Sequence, residues 1–156
     1  MSEMKSRRRA RELALKGLYQ WLLSANSAAT IADHLSSEID DFAKADKDFF
    51  MQLLQGSIEN AETLENEFAP CIHRTVAELS PVERAVLMLA TYEFLYMIET
   101  PYRVVINEAI ELTKKYGGTA GHRFVNGALD KLAARLRAIE TENNSEVEKE
   151  PPAVLE

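Results

Sequence analysis

An apolar residue recurs every three or four positions along almost the whole chain, and this spacing limits the possible folds more than any other feature. In the first segment the pattern comprises Ala10, Leu13, Ala14, Gly17, Leu18, Trp21, Leu22 and Ala25. An α-helix places such positions on one face, whereas a half-buried strand requires strict alternation. We find no convincing strand and no internal repeat, so we expect an all-α protein.

Short polar, proline and glycine signals mark the helix boundaries. Ser80, Pro81 and Glu83 combine an N-cap hydroxyl, a proline at the first helical position and a glutamate that can reach back to the cap. A helix is therefore predicted to begin at Ser80 and to end before Pro101, because proline cannot continue a helix. The signals predict a compact bundle of about seven helices with short links.

Two further stretches complete the helix prediction. Asp46 is expected to cap one continuous helix of about six turns that ends before Pro70, and a brief helical segment is expected over 72–79. The last helix is expected to start near His122 and to follow a turn at Gly117 to Gly121. We expect residues 1–140 to form a single domain and residues 141–156 to be an acidic, disordered tail.

Positive charge is concentrated near the start of the chain, although the formal net charge of the whole chain is −7. From residue 140 onward, six glutamates face one lysine. Between residues 5 and 16, by contrast, Glu12 is the single acidic residue among six basic ones: Lys5, Arg7, Arg8, Arg9, Arg11 and Lys16. The distribution therefore permits a local anionic partner despite the negative total.

A candidate binding edge follows from helical spacing in this basic segment. Arg8, Arg11, Leu15 and Tyr19 fall on one stripe that flanks the apolar face. Arginine can hold phosphate with two hydrogen bonds, and a tyrosine ring can stack on an unpaired base, a combination suited to single-stranded RNA. The alternative is an ordinary solvated charged face. The RNA hypothesis requires that the guanidinium groups are not occupied by internal carboxylates.

Catalytic and metal sites are not indicated. Cys71, His34, His73 and His122 lack the close spacing of zinc ligands, and the glycines at 117, 118 and 121 lack the lysine of a phosphate-binding loop. We therefore predict no enzyme, metal or cofactor. The charged start of the chain and the lack of a long apolar run indicate a cytoplasmic protein without a membrane segment.

Five strings in the same order resemble the NusB family. They are RRRARELALKGLYQW (7–21), FFMQLLQGS (49–57), LSPVERAVLMLATYEF (79–94), PYRVVINEAIELTKKYG (101–117) and HRFVNGALDKLA (122–133). The resemblance implies two packed helical sub-bundles. It also implies a bacterial transcription antitermination factor that binds the boxA element of nascent ribosomal RNA together with NusE, a small-subunit ribosomal protein. The pair then helps other Nus factors to assemble on RNA polymerase.

The resemblance also assigns residues to two surfaces. The RNA surface implied by the family comprises Arg7, Arg8, Arg9, Arg11, Tyr19, Arg123, Phe124 and Asn126. The NusE surface centres on the start of the Ser80 helix and comprises Glu78, Glu83 and Arg84. The chain departs from many relatives at Ala120 and Gly121, where an Asp-Ser pair is usual.

Two other interpretations remain open at this point. One is a protein-interaction module without direct RNA contact. The other is a NusB-like accessory domain of a ribosomal RNA methyltransferase, which requires the sequence to be a fragment. For each assigned residue a structural role is the competing explanation: Phe124 lies at an apolar-periodic position, and Glu83 is already explained as part of the helix cap.

Overall fold

The computed structural model describes residues 3–118 and 121–149, and every regular element within these ranges is helical. Eight α-helices follow one another: α1 (Glu3–Ser24), α2 (Ala28–Glu38), α3 (Lys47–Glu59), α4 (Ala61–Phe68), α5 (Pro81–Tyr96), α6 (Tyr102–Tyr116), α7 (Gly121–Leu136) and α8 (Ala138–Lys149). Short 3-10 turns lie at Phe42–Lys44, Ala69–Cys71 and Val76–Glu78. The predicted all-α class is confirmed, and the described residues form eight α-helices where about seven were predicted.

Side-chain caps set the beginnings of two helices where the sequence predicted them. The Asp46 carboxylate accepts a hydrogen bond from the amide of Phe49 at 3.1 Å and so starts α3. At α5, the Ser80 hydroxyl accepts from the Glu83 amide, and the Glu83 carboxylate accepts from the Ser80 amide, each at 3.1 Å. This reciprocal pair satisfies two backbone donors that the helix itself leaves unpaired.

The predicted continuous helix from Asp46 to Phe68 is wrong, because the chain breaks at Asn60 into α3 and α4. The Asn60 backbone amide and its side-chain amide both donate to the carbonyl oxygen of Gly56, at 3.0 and 2.8 Å. Apolar spacing hid this break because Leu64 keeps the same period across it. The brief helical segment predicted over 72–79 contains one 3-10 turn, Val76–Glu78.

The helices form two sub-bundles that share the central helix α5. Helices α1, α2 and α3 pack together, α4 to α7 form the second group, and α5 contacts α1 and α3 as well as its own neighbours. Ten consecutive residues of α5, from 85 to 94, are buried. The sequence of α5 is apolar on most sides for this reason, since it packs against helices on all of them.

A buried arginine links the end of α5 to the starts of α6 and α8. Arg137 donates hydrogen bonds to four backbone carbonyl oxygens at the end of α5 and in the turn that follows it: those of Glu93, Phe94, Met97 and Thr100. Arg137 also pairs with Glu140 at 2.7 Å, and Glu140 accepts a hydrogen bond from the Tyr102 amide at the start of α6. Arg137 thus caps the end of α5, and Glu140 caps the start of α6. Each charge complements the helix dipole at its position.

The predicted domain boundary at residue 140 lies inside α8, which continues to Lys149. Residues 150–156 of the predicted tail lie outside the described part of the chain, so the division into domain and tail stays a prediction. Among the helices described, none combines the length and the apolar character that a membrane span requires.

Candidate nucleic-acid interface

The outer edge of α1 differs from the stripe that the spacing predicted. Arg11 and Leu15 belong to the buried side of the helix. The outer edge is formed instead by Arg8, Glu12, Lys16 and Tyr19. These residues are spaced three or four positions apart, so they lie on one side of the helix. The candidate RNA edge therefore contains a carboxylate and a lysine in place of the second arginine.

Arg8 is the most exposed of the four predicted arginines on α1, and 54% of its side chain is accessible. Its guanidinium donates from Nε and Nη2 to the carboxylate of Glu108 on α6, at 3.1 to 3.2 Å. These hydrogen bonds and the charge of Glu108 raise the pKa of Arg8 above its ordinary value. Arg8 is thus held at the surface in a fixed orientation, where an anion can reach it.

Arg11, by contrast, is buried and lies inside the fold. Its Nε and Nη2 donate to the two carboxylate oxygens of Glu93 on α5, at 2.9 and 2.8 Å. Its guanidinium also lies 5.0 Å from the centre of the Phe49 ring. This geometry occupies the cation within the protein, so the structure assigns Arg11 a role in holding α1 against α5.

Arg7 and Arg9 are half-buried at the same end of α1. The Arg7 guanidinium lies 4.0 Å from the centre of the Phe49 ring, a cation–π contact. Arg9 donates to Glu12 at 3.0 Å and to Asp41 at 2.7 Å. Hydrogen bonding to Arg9 holds the pKa of Asp41 below its usual value. Internal partners therefore engage both arginines that flank Arg8.

Helix α6 contributes basic residues that the sequence analysis did not assign to the site. A cavity of about 370 Å³ lies between α1 and α6, and its wall contains three cations and three carboxylates: Arg8, Lys114 and Lys115 with Glu12, Glu108 and Glu111. The lysine side chains are 52% and 60% exposed. An anion can thus approach cations from two helices, but it must compete with carboxylates.

Tyr19 lies farther along the same edge, beside a wider and more apolar groove. The groove measures about 600 Å³, and its lining includes Tyr19, Lys16, Tyr116 and Val82. Tyr19 is 40% exposed, and the ammonium of Lys16 lies 5.8 Å from the centre of the Tyr116 ring. The groove therefore contains both an exposed aromatic ring, which can stack on a base, and a lysine, which can bind a phosphate.

The first turns of α7 carry the second group of predicted RNA residues. Arg123 and Asn126 are exposed, whereas Phe124 is half-buried against the core. The guanidinium of Arg74 covers the Phe124 ring at 4.0 Å from its centre. A base can therefore stack on Phe124 only if Arg74 moves or stacks with it.

The predicted partner residues all take part in local interactions at the start of α5. Glu78 is exposed, and its carboxylate accepts a hydrogen bond from the Thr75 hydroxyl at 2.9 Å. Glu83 caps α5 and lies 3.8 Å from Arg74, and Arg84 pairs with a carboxylate of α4. Each side chain thus has a structural explanation, and a role in partner binding stays a prediction.

The predicted RNA and partner surfaces are adjacent at the start of α5. A Cβ atom on Gly121 would lie 3.7 Å from the Glu83 carboxylate, which places the first turn of α7 beside the start of α5. The groove beside Tyr19 reaches Val82, one residue before Glu83. Ala120, where the chain departs from the family pattern, lies outside the described residues.

Sequence reasoning missed Lys16, Lys114, Lys115 and Arg74. Lys114 and Lys115 reach the site from α6, and Arg74 reaches it from the segment before α5, whereas Lys16 lies on α1 itself. The basic pair at 114 and 115 lies in the last turn of α6, where cations complement the helix dipole, so its position alone does not indicate a binding site. A signal was present in the four-residue spacing of Arg8, Glu12 and Lys16, which places all three on one edge.

Comparison with known proteins gives a consistent family assignment. The model of the NusB family matches residues 8–134. The transcription antitermination protein NusB of Azoarcus sp. (strain BH72) is 62% identical over 142 residues, which cover 91% of this chain and 92% of that protein. The protein of the same name from Aromatoleum aromaticum is 61% identical and covers 90% of this chain and 96% of the relative.

Solved structures show the same fold. NusB of T. maritima superposes with a TM-score of 0.73 at 31% identity, covering 86% of this chain and 96% of that one. A crystal structure of the antitermination factors NusB and NusE in complex with dsRNA also gives a TM-score of 0.73, at 22% identity, and covers 83% and 96% of the two chains. The chain belongs to the NusB family.

Proposed function

We propose that this chain is a transcription antitermination factor that binds the boxA element of nascent ribosomal RNA together with NusE. In this role the pair helps other Nus factors to assemble on RNA polymerase. The observation that carries the proposal is the identity of 61–62% with two proteins named transcription antitermination protein NusB, over nine-tenths of the chain. Identity at this level across nearly the whole length supports a shared function.

The centre of the proposed RNA surface consists of groups that are accessible in the structure. Arg8, Arg123 and Asn126 are exposed, and Tyr19 offers an aromatic ring at the end of the same α1 edge as Arg8. Lys114 and Lys115 extend the surface onto α6. Arg7, Arg9 and Phe124 form its half-buried rim, and Arg11 supports it from inside. Arginine and lysine supply charge for phosphates, and tyrosine supplies a stacking surface.

The proposed NusE surface centres on Glu78, Glu83 and Arg84 at the start of α5. Its position beside the first turn of α7 supports a composite arrangement in which NusE and RNA contact adjacent parts of the chain. The solved complex of NusB, NusE and dsRNA concerns a related protein with the same fold, and it supports the same pairing here. We propose a binding factor, not an enzyme, and a cytoplasmic location, since nascent bacterial transcripts are made there.

Filter binding with boxA RNA tests the proposal most directly. We expect weak retention of single-stranded boxA RNA by the chain alone and strong retention when NusE is added, because each protein supplies part of the surface. RNA of the same length with a scrambled boxA sequence is the control, and duplex RNA is a second arm. Equal retention of boxA and scrambled RNA in the presence of NusE would contradict the proposal.

One observation favours a second candidate, a protein-interaction module without direct RNA contact. Carboxylates neutralise much of the basic edge, since Arg8, Arg9 and Arg11 each pair with at least one. Charge reversal of Arg8 and Arg123 separates the two candidates. RNA binding predicts weaker retention of the double variant R8E/R123E, whereas the interaction module predicts no change in RNA retention and intact binding of NusE.

A further inference from the structure

A single carboxylate oxygen connects the two helices of the basic edge. Oε2 of Glu12 accepts hydrogen bonds from Arg9 Nη1 at 3.0 Å, from Lys115 Nζ at 2.9 Å and from the Tyr116 hydroxyl at 2.8 Å. Arg9 belongs to α1, whereas Lys115 and Tyr116 end α6. The Glu12 side chain is only 13% exposed.

We propose that Glu12 is a positioning residue for RNA binding, which holds Lys115 and Tyr116 of α6 in register with the cations of α1. The inference rests on the function proposed above. It goes further because it assigns to an acidic residue a favourable role in the binding of a polyanion.

The geometry explains how a carboxylate can favour an anionic ligand. Lys115 is 60% exposed and has a long flexible side chain, yet its ammonium group is held by Glu12 and retains further donors. The same carboxylate holds the Tyr116 hydroxyl, so the Tyr116 ring stays 5.8 Å from the Lys16 ammonium and 5.4 Å from that of Lys115. Groups that are ordered before binding lose less entropy when RNA arrives.

The protonation state of Glu12 agrees with this arrangement. Burial alone would raise the Glu12 pKa, but hydrogen bonds from Lys115 and Tyr116 and the charges of Lys115 and Arg9 outweigh it, so the pKa lies below its ordinary value. Glu12 in turn raises the pKa of Lys115. Carboxylate and ammonium are therefore both charged at neutral pH.

A purely electrostatic account predicts that removal of the Glu12 charge strengthens RNA binding, whereas the positioning role predicts that it weakens RNA binding. The direction of the change in affinity therefore distinguishes the two. A negative charge near a phosphate site weakens phosphate binding, so its removal should strengthen it. Glu111 lines the same cavity and provides the matched comparison. It is 61% exposed, and its closest ion pair is with Lys114 at 3.8 Å. Glu111 carries the same charge as Glu12 but does not organise the two helices.

The experiment compares E12Q and E111Q in the full-length chain, with NusE present and boxA RNA as the probe. We expect E12Q to bind about threefold to tenfold more weakly, the effect of losing the order of one or two long side chains. We expect E111Q to bind about twofold more tightly, since it removes one screened surface charge. E12Q binding that equals or exceeds wild-type affinity overturns the proposal.

A double-mutant cycle distinguishes positioning from a general loss of structure. If Glu12 acts through Lys115, then E12Q weakens RNA binding much less in a K115A background than in the wild type. Equal effects of E12Q in both backgrounds overturn the proposal. A wild-type chain that fails to bind boxA RNA with NusE overturns the proposed function itself, whereas normal wild-type binding with unchanged E12Q binding overturns only the role of Glu12.

Discussion

At the scale of single residues, the ion pair between Arg11 and Glu93 is the interaction whose loss we expect to cost the most stability. Both side chains are buried, and the pair joins α1 to α5 through two hydrogen bonds. Replacement of Arg11 by methionine leaves the Glu93 carboxylate buried without its cation. We expect R11M to lower the free energy of unfolding by about 3–5 kcal/mol, as measured by urea denaturation.

The double variant R11M/E93L is the control for this interpretation. Removal of both charges eliminates the uncompensated carboxylate, so we expect most of the lost stability to return. A double variant that is less stable than R11M, or an R11M protein as stable as the wild type, would contradict the internal role of Arg11.

Glu12 also makes the stability of the fold depend on pH. Because the folded pKa of Glu12 is lowered from 4.5, its contribution is present above that value and is lost as the pH falls through the folded pKa. We expect the difference in unfolding free energy between wild type and E12Q to be largest near neutral pH and to shrink in acid below pH 4.5. Denaturation curves at several pH values measure it, and a difference that is constant with pH would contradict the assignment.

Residue types and spacing indicated the basic edge but not the partner of each cation. Arg11 lies next to the apolar face in the helical period, yet its charge favoured a surface position. Its partner is Glu93, 82 positions away, and no local pattern reveals a contact at that distance in sequence. Arg8 and Tyr19 were predicted as exposed because their position depends on α1 alone.

At the scale of helices, we expect alanine substitutions at two glycines to change the stability of the fold in opposite directions. A Cβ atom on Gly56 of α3 would lie 2.4 Å from Cε2 of Tyr92, so G56A should force α3 away from α5. We expect a loss of about 1–3 kcal/mol from this overpacking. Gly127 of α7 has open space around its Cβ position, so G127A should gain about 0.5–1 kcal/mol from better helix propensity.

Thermal unfolding of the two single variants measures these effects, with the wild type as reference. Both substitutions replace a helical glycine with the same residue, so they differ only in what surrounds the new methyl group. A gain in stability for G56A similar to that for G127A would show that α3 and α5 are not as closely packed as described.

Helix starts were more predictable than helix continuity. The beginning of α5 depends on Ser80 and Glu83, which are three residues apart, so the sequence contains the whole motif. The break at Asn60 depends on hydrogen bonds to Gly56 and on packing against other helices. Because the apolar period continues across the break, sequence periodicity alone predicted one long helix.

At the scale of the whole molecule, we propose that residues 1–140 are sufficient for the fold and that the end of the chain beyond them is dispensable. Glu140 is the last residue of this unit that joins α5 and α6, through Arg137 and the Tyr102 amide. We expect deletion of residues 141–156 to change the unfolding free energy by less than about 1 kcal/mol, because the side-chain partners of Glu140, which are Arg137 and the Tyr102 amide, all lie outside the deleted segment.

The substitution E140A in the full-length chain is the matched comparison for this truncation. It removes the partner of a buried arginine and a cap of α6, so we expect a loss of about 1–3 kcal/mol. Both proteins are compared by chemical denaturation. A truncated protein that is less stable than E140A would place the boundary of the folded unit beyond residue 140.

Local sequence patterns were sufficient to predict the overall fold, but they were not sufficient to predict which residues form the site. Helical period and caps are properties of neighbouring residues, and together they predicted the all-α class. The cavity beside Arg8 forms where α1 and α6 come together, so Lys114, Lys115 and the carboxylates around them could be assigned only from the structure.

The central claim is that exposed cations on the edge of α1 and α6 hold the phosphates of RNA. The most direct test is the salt dependence of boxA affinity, with NusE present, for wild type, R8A and R135A. Arg135 is 48% exposed at the far end of α7 and is the control for loss of a surface arginine. We predict weaker binding and a logarithmic salt slope shallower by about 0.7 for R8A, and wild-type behaviour for R135A. Identical slopes and affinities for all three proteins would contradict the account.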